Sequence, residues 1–409
     1  MTSTDTPVLW PTADALQTAV QTFIDETGFP GAAVLVAMPD HDTWSAGFGI
    51  ADRDAGTPVR PEMHMRIGSV TKTFTGTLVL QLVDEGKLSL DDTLATILPE
   101  AADLANADAI TLRQVMNMRS GIFNYTEHPG LFGEIPGHED RVWTLAEMVD
   151  IARKHDPYFA PDTDFHYSNT NYILLEMLVE RVTGNAFGDE LKARILDPLG
   201  LTATSLPTTP EMPEPFAHGY GGDPALMNPA QDPDAEVVDA APEDAADASG
   251  GSEDAAEQPA PPRIDLATLR DSTRFPPSIA AGAGAIISTV EDLDRWVDAL
   301  LSGWSLKPET QAARMDLLPS SEEGSESTGG YGLGIMSQEG VTGHGGGILG
   351  YTCYAGRHDA SGANIVILTN GEGNGTEDGS VVGILRRVVQ LLPGGDPADS
   401  TADESAVPA

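Results

Sequence analysis

Segments with strand character stand near both ends of this 409-residue chain, and the long stretch between them is helical. Ala32 to Met38 and Thr43 to Ile50 read as two strands joined at Pro39-Asp40-His41-Asp42, and Tyr331 to Met336, Tyr351 to Ala355 and Asn364 to Thr369 have the same apolar, β-branched and aromatic character. From Lys72 to about Tyr220 the apolar residues recur at helical spacing, over Val70 to Glu85, Leu112 to Met118, Leu145 to Lys154 and Asn171 to Thr183, with Gly86, Gly121 and Gly184 as stops. Ala13 to Glu26, Val290 to Leu301 and Val381 to Leu392 complete the helices. One sheet assembled from both termini, carrying an inserted helical lobe, is the α+β arrangement this order predicts. The cleft between the two lobes is where a site is expected.

The predicted division is an α/β lobe from residues 8–70 and 273–393 and a mainly helical lobe from 71–222. Between them, residues 223–262 turn abruptly to Ala, Asp, Glu, Pro and Gly, and the core from Asp232 to Gln258 has almost no large apolar residue. Such a segment cannot offset its ordering entropy by burial, so it reads as an acidic disordered insertion, with 394–409 as a disordered tail.

Charge narrows the partners. Sixty-three Asp and Glu against 22 Lys and Arg give a formal charge of −41, which repels nucleic acid and anionic membranes. Few lysines and many aspartates resemble the composition of proteins from salt-accumulating halophiles, in which concentrated salt screens self-repulsion. The single cysteine, Cys353, permits no intramolecular disulfide and reads as a buried strand residue. Met1 to Trp10 lacks a basic n-region followed by an apolar h-region, and no run approaches a membrane span, so a cytoplasmic chain is expected, or an extracellular one if a leader has been trimmed away.

Chemistry concentrates where the first helix of the middle region begins. Ser69 and Lys72 stand three residues apart, and Val70, Phe74, Leu78 and Leu82 form a buried stripe that holds them on a neighbouring face. A serine hydroxyl needs a base, and a desolvated lysine loses enough basicity to be one. With five lysines in the chain, an accidental S-x-x-K has a chance of about one in three, so context must decide. Tyr167-Ser168-Asn169 is the only Y-x-N among the eight tyrosines. A phenol beside an ammonium has its anion favoured, so Tyr167 could relay the proton of Ser69, and Asn169 offers a donor and an acceptor to a substrate amide; the alternative is that Ser168 or Asn169 merely caps the next helix. Gly343-His344-Gly345-Gly346-Gly347 precedes Ile348 to Tyr354 and opens that strand, its small residues letting a substrate approach the backbone, or else is a simple turn. The N–H groups of Ser69 and Gly347 would supply two donors to a developing oxyanion, with His344 nearby as a positive or hydrogen-bonding group.

Ser69-x-x-Lys72, Tyr167-x-Asn169 and His344-x-Gly346, in that order, resemble the three motifs of the penicillin-recognising serine hydrolases. The branch indicated is that of class C β-lactamases, serine D-alanyl-D-alanine carboxypeptidases and their esterase and D-aminopeptidase relatives. Arg66 to Phe74, Leu82 to Leu88, Ile110 to Gln114 with Arg119 to Gly121, Tyr167 to Tyr172, Ala283 to Thr289 and Tyr331 to Gly334 also look like family blocks. The resemblance implies a β-lactamase/transpeptidase-like fold, an antiparallel sheet flanked by N- and C-terminal helices plus an all-helical lobe. It implies an acyl-enzyme mechanism without metal or organic cofactor: Ser69 attacks, Lys72 and Tyr167 move the proton, His344 assists, Asn169, Gly346 and Gly347 contact a small-molecule or peptide substrate, and the backbone of Ser69 and Gly347 holds the oxyanion.

The substrate is where the resemblance thins. Carboxypeptidases of this branch are expected to hold a free carboxylate with a hydroxyl just after H-x-G and a cation on the preceding strand, but Gly347 follows the motif here and Met336 to Thr342 has no Lys or Arg. Ile279 stands where some relatives carry tryptophan. A D-alanyl-D-alanine carboxypeptidase-like peptidase is the expectation, with an esterase or D-amino-acid amidase next and a β-lactamase after them. Intact Ser69, Lys72 and Tyr167 argue against a non-catalytic binding descendant.

Overall fold

The computed structural model describes residues 10–224, 263–320, 329–374, 376 and 378–395. All but Asp223 and Pro224 of the expected acidic insertion, and all but its first two residues of the expected tail, lie outside these.

Nine antiparallel strands form the main sheet. They are β1 (Gly31–Ala37), β2 (Trp44–Asp52), β3 (Thr57–Pro58), β4 (Leu318–Pro319), β5 (Gly330–Tyr331), β6 (Met336–Gln338), β7 (Val341–Ile348), β8 (Tyr351–His358) and β9 (Asn364–Thr369). Their order is β3-β2-β1-β9-β8-β7-β6-β5-β4, so the N-terminal β1 pairs directly with the C-terminal β9, Ala33 opposite Leu368 and Leu35 opposite Val366.

The centre of the sheet is covered on both faces, which is why β1 reads Gly-Ala-Ala-Val-Leu-Val-Ala without polar interruption. One face receives α1 (Ala13–Thr27) and α6 (Val381–Leu391), whose Leu16, Val20, Phe23, Ile384, Leu385 and Val388 pack on Val34, Val36, Ile365 and Ile367. The chemistry of the ends fixes α1: the Thr12 hydroxyl accepts the Ala15 N–H at 3.2 Å, and Gly28 closes the helix at φ +69°. Ala33, Leu35, Val366 and Leu368, alternating with the first set, join the larger core under the helices.

That larger core contains α2 (Thr71–Asp84), α3 (Asn169–Thr183), the short turn α4 (Ala281–Gly284) and α5 (Val290–Ser302). Trp296 of α5 stacks on Phe74 of α2 with ring centroids 4.0 Å apart, and its indole N–H donates to Thr73 Oγ1 at 2.7 Å. Burial of each ring is worth roughly 1.5–3 kcal/mol, so this contact anchors α2 firmly against the sheet-side helix. No described helix is long and apolar enough to cross a membrane.

Three expectations change. The strand predicted over Tyr331 to Met336 is two short strands, β5 and β6, separated by the tight turn at Gly334, φ +77°. The glycines of Gly343 to Gly347 lie within β7 rather than before a strand, and the run from Ile348 to Tyr354 crosses a hairpin turn into β8. Ladder pairing with β8, Gly346 opposite Cys353 and Gly347 opposite Thr352, supplies what glycine's low strand preference does not. Finally, α3 begins at Asn169, and its Ser168 N-cap makes no side-chain capping bond, so the capping alternative for this motif fails.

Candidate active site

Ser69 lies in a single tight turn, Gly68–Val70, that feeds directly into α2. Helix geometry then brings Lys72 to it, Nζ to Oγ 2.9 Å. The turn is wedged against β7: Gly68 sits at φ +46°, and a Cβ there would fall 2.7 Å from Gly347 N and 2.8 Å from Gly347 O. From the other side, a Cβ on Gly346 would fall 2.2 Å from Ile67 O and 2.6 Å from Cys353 Sγ. Two glycines thus let the nucleophile turn and the strand touch backbone to backbone. Gly346 is required for that packing, not for substrate approach as expected; Gly347 faces open space and lines the cleft.

Lys72 is fully buried and surrounded by acceptors. Besides Ser69, its Nζ donates to Asn169 Oδ1 at 2.7 Å and to Ala283 O at 2.7 Å. The Tyr167 ring lies 4.8 Å from the same nitrogen. Among the described residues no carboxylate reaches it, and burial lowers its pKa well below that of a free lysine. Asn169 is tied in turn: its N–H donates to Asn124 Oδ1 at 3.0 Å and its Nδ2 to Thr126 Oγ1 at 3.0 Å. It lines the cleft, but its carbonyl is committed to Lys72 rather than to substrate.

Tyr167 is half-buried as a residue while its hydroxyl oxygen is buried without a hydrogen-bond partner. Burial raises its pKa, and the neighbouring Ser69 hydroxyl acts in the opposite direction without a well-formed hydrogen bond between them. The phenolate expected beside an ammonium is therefore disfavoured, because desolvation outweighs any attraction.

His344 is buried and neutral. Its Nδ1–H donates to Gly345 O and its Nε2 accepts from the Tyr331 hydroxyl at 3.0 Å, while burial and the nearby Lys72 push its pKa down to about 3. A charged His344 is disfavoured by that burial; the hydrogen-bonding alternative is the one the geometry favours, through Tyr331, whose ring is edge-on to that of Tyr167 at 5.9 Å.

The cleft in front of Ser69 measures about 420 Å³. Phe132, Phe275, Ile279, Ile348 and Leu349 make it apolar, and two carboxylates, Glu127 and Glu372, border it; among the described residues none of its lining groups is a lysine or arginine. Burial acts to raise the Glu127 pKa, but hydrogen bonds from Tyr158, Asn124 and His166 outweigh it and keep the group ionised. Glu372 accepts the N–H groups of Gly350 at 2.7 Å and Gly222 at 3.1 Å. Sequence reasoning missed Ala283, Tyr331 and Glu127; the Ala283 and Tyr331 blocks were visible, but no pattern marked their roles.

A serine, a lysine and a tyrosine converging beside an apolar cleft, on an antiparallel sheet with a helical insert, define the class of penicillin-recognising serine hydrolases. A family model described as Beta-lactamase matches residues 16–383, and the chain belongs to that family. A D-stereospecific amidohydrolase from Streptomyces sp. is 30% identical with a TM-score of 0.73, covering 94% of this chain and 100% of its own. The D-amino acid amidase from Ochrobactrum anthropi SV3, solved with D-phenylalanine, is 26% identical with a TM-score of 0.74, covering 92% and 98%. Penicillin-binding protein 4 of Amycolatopsis lactamdurans is 36% identical over 190 residues, 46% of each chain, and this chain spans about half the length of the curated relatives it matches.

Proposed function

We propose that the protein is an acyl-enzyme amidase that releases the amine from small amides of D-amino acids or from the N-terminal residue of D-configured peptides. The observation that carries this is the cleft itself: it is bordered by an ionised carboxylate, Glu127, and walled by apolar side chains. A free α-ammonium is attracted there, whereas the free carboxylate a carboxypeptidase must hold finds no cation among the described lining residues. The D-configuration rests on likeness to the two D-specific amidohydrolases. The two-lobed division, 8–70 with 273–393 against 71–222, is part of the same reading, the cleft being the seam between them.

The chemistry follows from hydrogen-bond capacity. As a neutral amine, Lys72 has two N–H bonds and one lone pair. Asn169 Oδ1 and Ala283 O can only accept, so they take the two N–H bonds, and the third direction, toward Ser69 Oγ, holds the lone pair. Lys72 then removes the hydroxyl proton as Ser69 Oγ bonds to the amide carbon, and the oxygen gains charge against the N–H groups of Ser69 and Gly347. Tyr167, protonated and otherwise unpartnered, passes a proton to the departing nitrogen and is resupplied by Lys72. The C–N bond breaks, the amine leaves, and water attacks the acyl-serine with the same groups working in reverse.

The test compares D-phenylalaninamide, its N-acetyl derivative and a D-alanyl-D-alanine peptide. The free amide should be the best substrate by kcat/KM, and Glu127→Gln should raise its KM about ten-fold, ~1.4 kcal/mol, while leaving the acetylated amide unchanged. Preference for the D-alanyl-D-alanine peptide would restore the carboxypeptidase expectation.

A further inference from the structure

One buried acid close to the site has no part in the chemistry above. Glu176 lies on α3, seven residues beyond Asn169, and is only 8% exposed. It sits under α4, the turn whose Ala283 carbonyl receives Lys72. Its Oε2 accepts the Gly282 N–H, and from the other side Thr75 of α2, one residue short of a turn beyond Lys72, donates its hydroxyl to Gly282 O at 2.7 Å. Both groups of the Gly282 peptide backbone are thus gripped, immediately before the residue that holds the amine.

The grip answers a local difficulty. Ala281 has φ +40°, a conformation that a residue with a Cβ adopts only when its surroundings enforce it. Space is fitted to the acid as well: a Cβ on Gly282 would lie 2.9 Å from Glu176 Oε2 and 3.2 Å from Glu176 Cβ. No described lysine or arginine pairs with the carboxyl, so nothing but Gly282 compensates its burial. The wall that α4 forms with Ile279 and Ala280 lines the cleft, and the Tyr125 hydroxyl fastens its other end to Ile279 O.

We propose that Glu176 is a positioning residue for the general base: it fixes the α4 turn so that the Ala283 carbonyl meets the Lys72 amine. This rests on Lys72 acting as the base. Burial raises the Glu176 pKa to about 8, the Gly282 N–H opposing and Glu180 on the same helix adding to it. The other ionisable group it acts on is Tyr125, whose phenol is kept protonated by burial first and by the Glu176 charge second; α4 has none. Below that value the carboxyl is neutral, with an O–H of its own, and its Oε2 still accepts the Gly282 N–H.

The experiment follows acylation by p-nitrophenyl butyrate at pH 7 in the full-length protein. Glu176→Gln keeps an acceptor for Gly282 and should retain kcat within three-fold. Glu176→Ala should lower kcat ten-fold or more with little change in KM, its fold being checked by circular dichroism against the Gln variant. Wild-type kcat in the Ala variant, or a Gln variant as impaired as the Ala variant, would overturn the proposal. Because the probe is an ester without an ammonium, failure of the D-amide substrate reading leaves this result intact, and the two can be told apart.

Discussion

The helical and sheet walls of the cleft contribute in opposite ways. On the helical side Ser69, Lys72, Tyr167 and Asn169 bring side-chain atoms together, and Lys72 Nζ has three hydrogen-bond partners within 2.9 Å. On the sheet side β7 presents Gly345, Gly346 and Gly347, and its one polar side chain nearby, His344, is turned into the protein and satisfied by Tyr331 and Gly345. Reactivity on the first wall depends on what the side chains are. On the second it depends on how closely the backbone can come. The difference predicts which substitutions abolish chemistry and which displace it.

The largest effects belong to the helical wall. Ser69→Ala should eliminate covalent labelling by a fluorophosphonate and lower kcat/KM by about 10³-fold or more. Lys72→Arg keeps a cation but cannot supply a lone pair, so it should lose nearly as much. Substantial activity in Lys72→Arg would show that the buried amine works by its charge and would undo the assignment of the base.

Next come the glycines, where two neighbours should behave differently. Gly346→Ala drives a methyl into Ile67 O and Cys353 Sγ, both within 2.6 Å, and the backbone carrying Ser69 must yield. The expected cost is about 1–3 kcal/mol of stability, read as a lower thermal midpoint, and a loss of about 10²-fold in kcat from the displaced nucleophile. Gly347→Ala meets nothing within 4 Å and should leave the midpoint unchanged, raising KM a few-fold as its methyl enters the cleft. Equal effects at the two positions would mean that the strand is not held against the nucleophile turn.

This asymmetry also explains what was legible in the sequence. That Ser69, Lys72 and Tyr167 stand together could be read because the expected chemistry demands particular side chains, one pair at helical spacing. The terminal strands and helices were legible for a similar reason, since Val34, Val36 and the stripe of α1 follow the periods of their elements. Backbone roles leave no such mark: any residue could supply the Ala283 carbonyl, and a run of glycines looks like a turn until a partner strand pairs with it. Glu127 looked like one surface acid among 63 Asp and Glu, because the groups that ionise and place it, Tyr158 and His166, are 31 and 39 residues away. Whether His344 is a positive or a hydrogen-bonding group stayed open, because burial decides it and sequence carries no burial value.

The smallest effect sharpens the comparison most, because it asks whether His344 belongs to the chemistry or to the wall. Its folded pKa, about 3, lies below the ordinary value of 6.5, so the folded protein keeps the imidazole neutral where an unfolded chain would protonate it. Its contribution is therefore fully present above about pH 6.5 and is lost as pH falls toward 3, at up to ~1.4 kcal/mol per pH unit. Carboxylates add their own acid sensitivity, so the informative quantity is a difference in slope. His344→Gln should lower stability at pH 7 modestly, by loss of the Tyr331 bond, yet flatten the decline in urea midpoint between pH 6.5 and 4. Parallel declines in the two proteins, combined with a large loss of kcat in the variant at pH 7, would place a charged imidazole at the reacting serine and return His344 to the catalytic side.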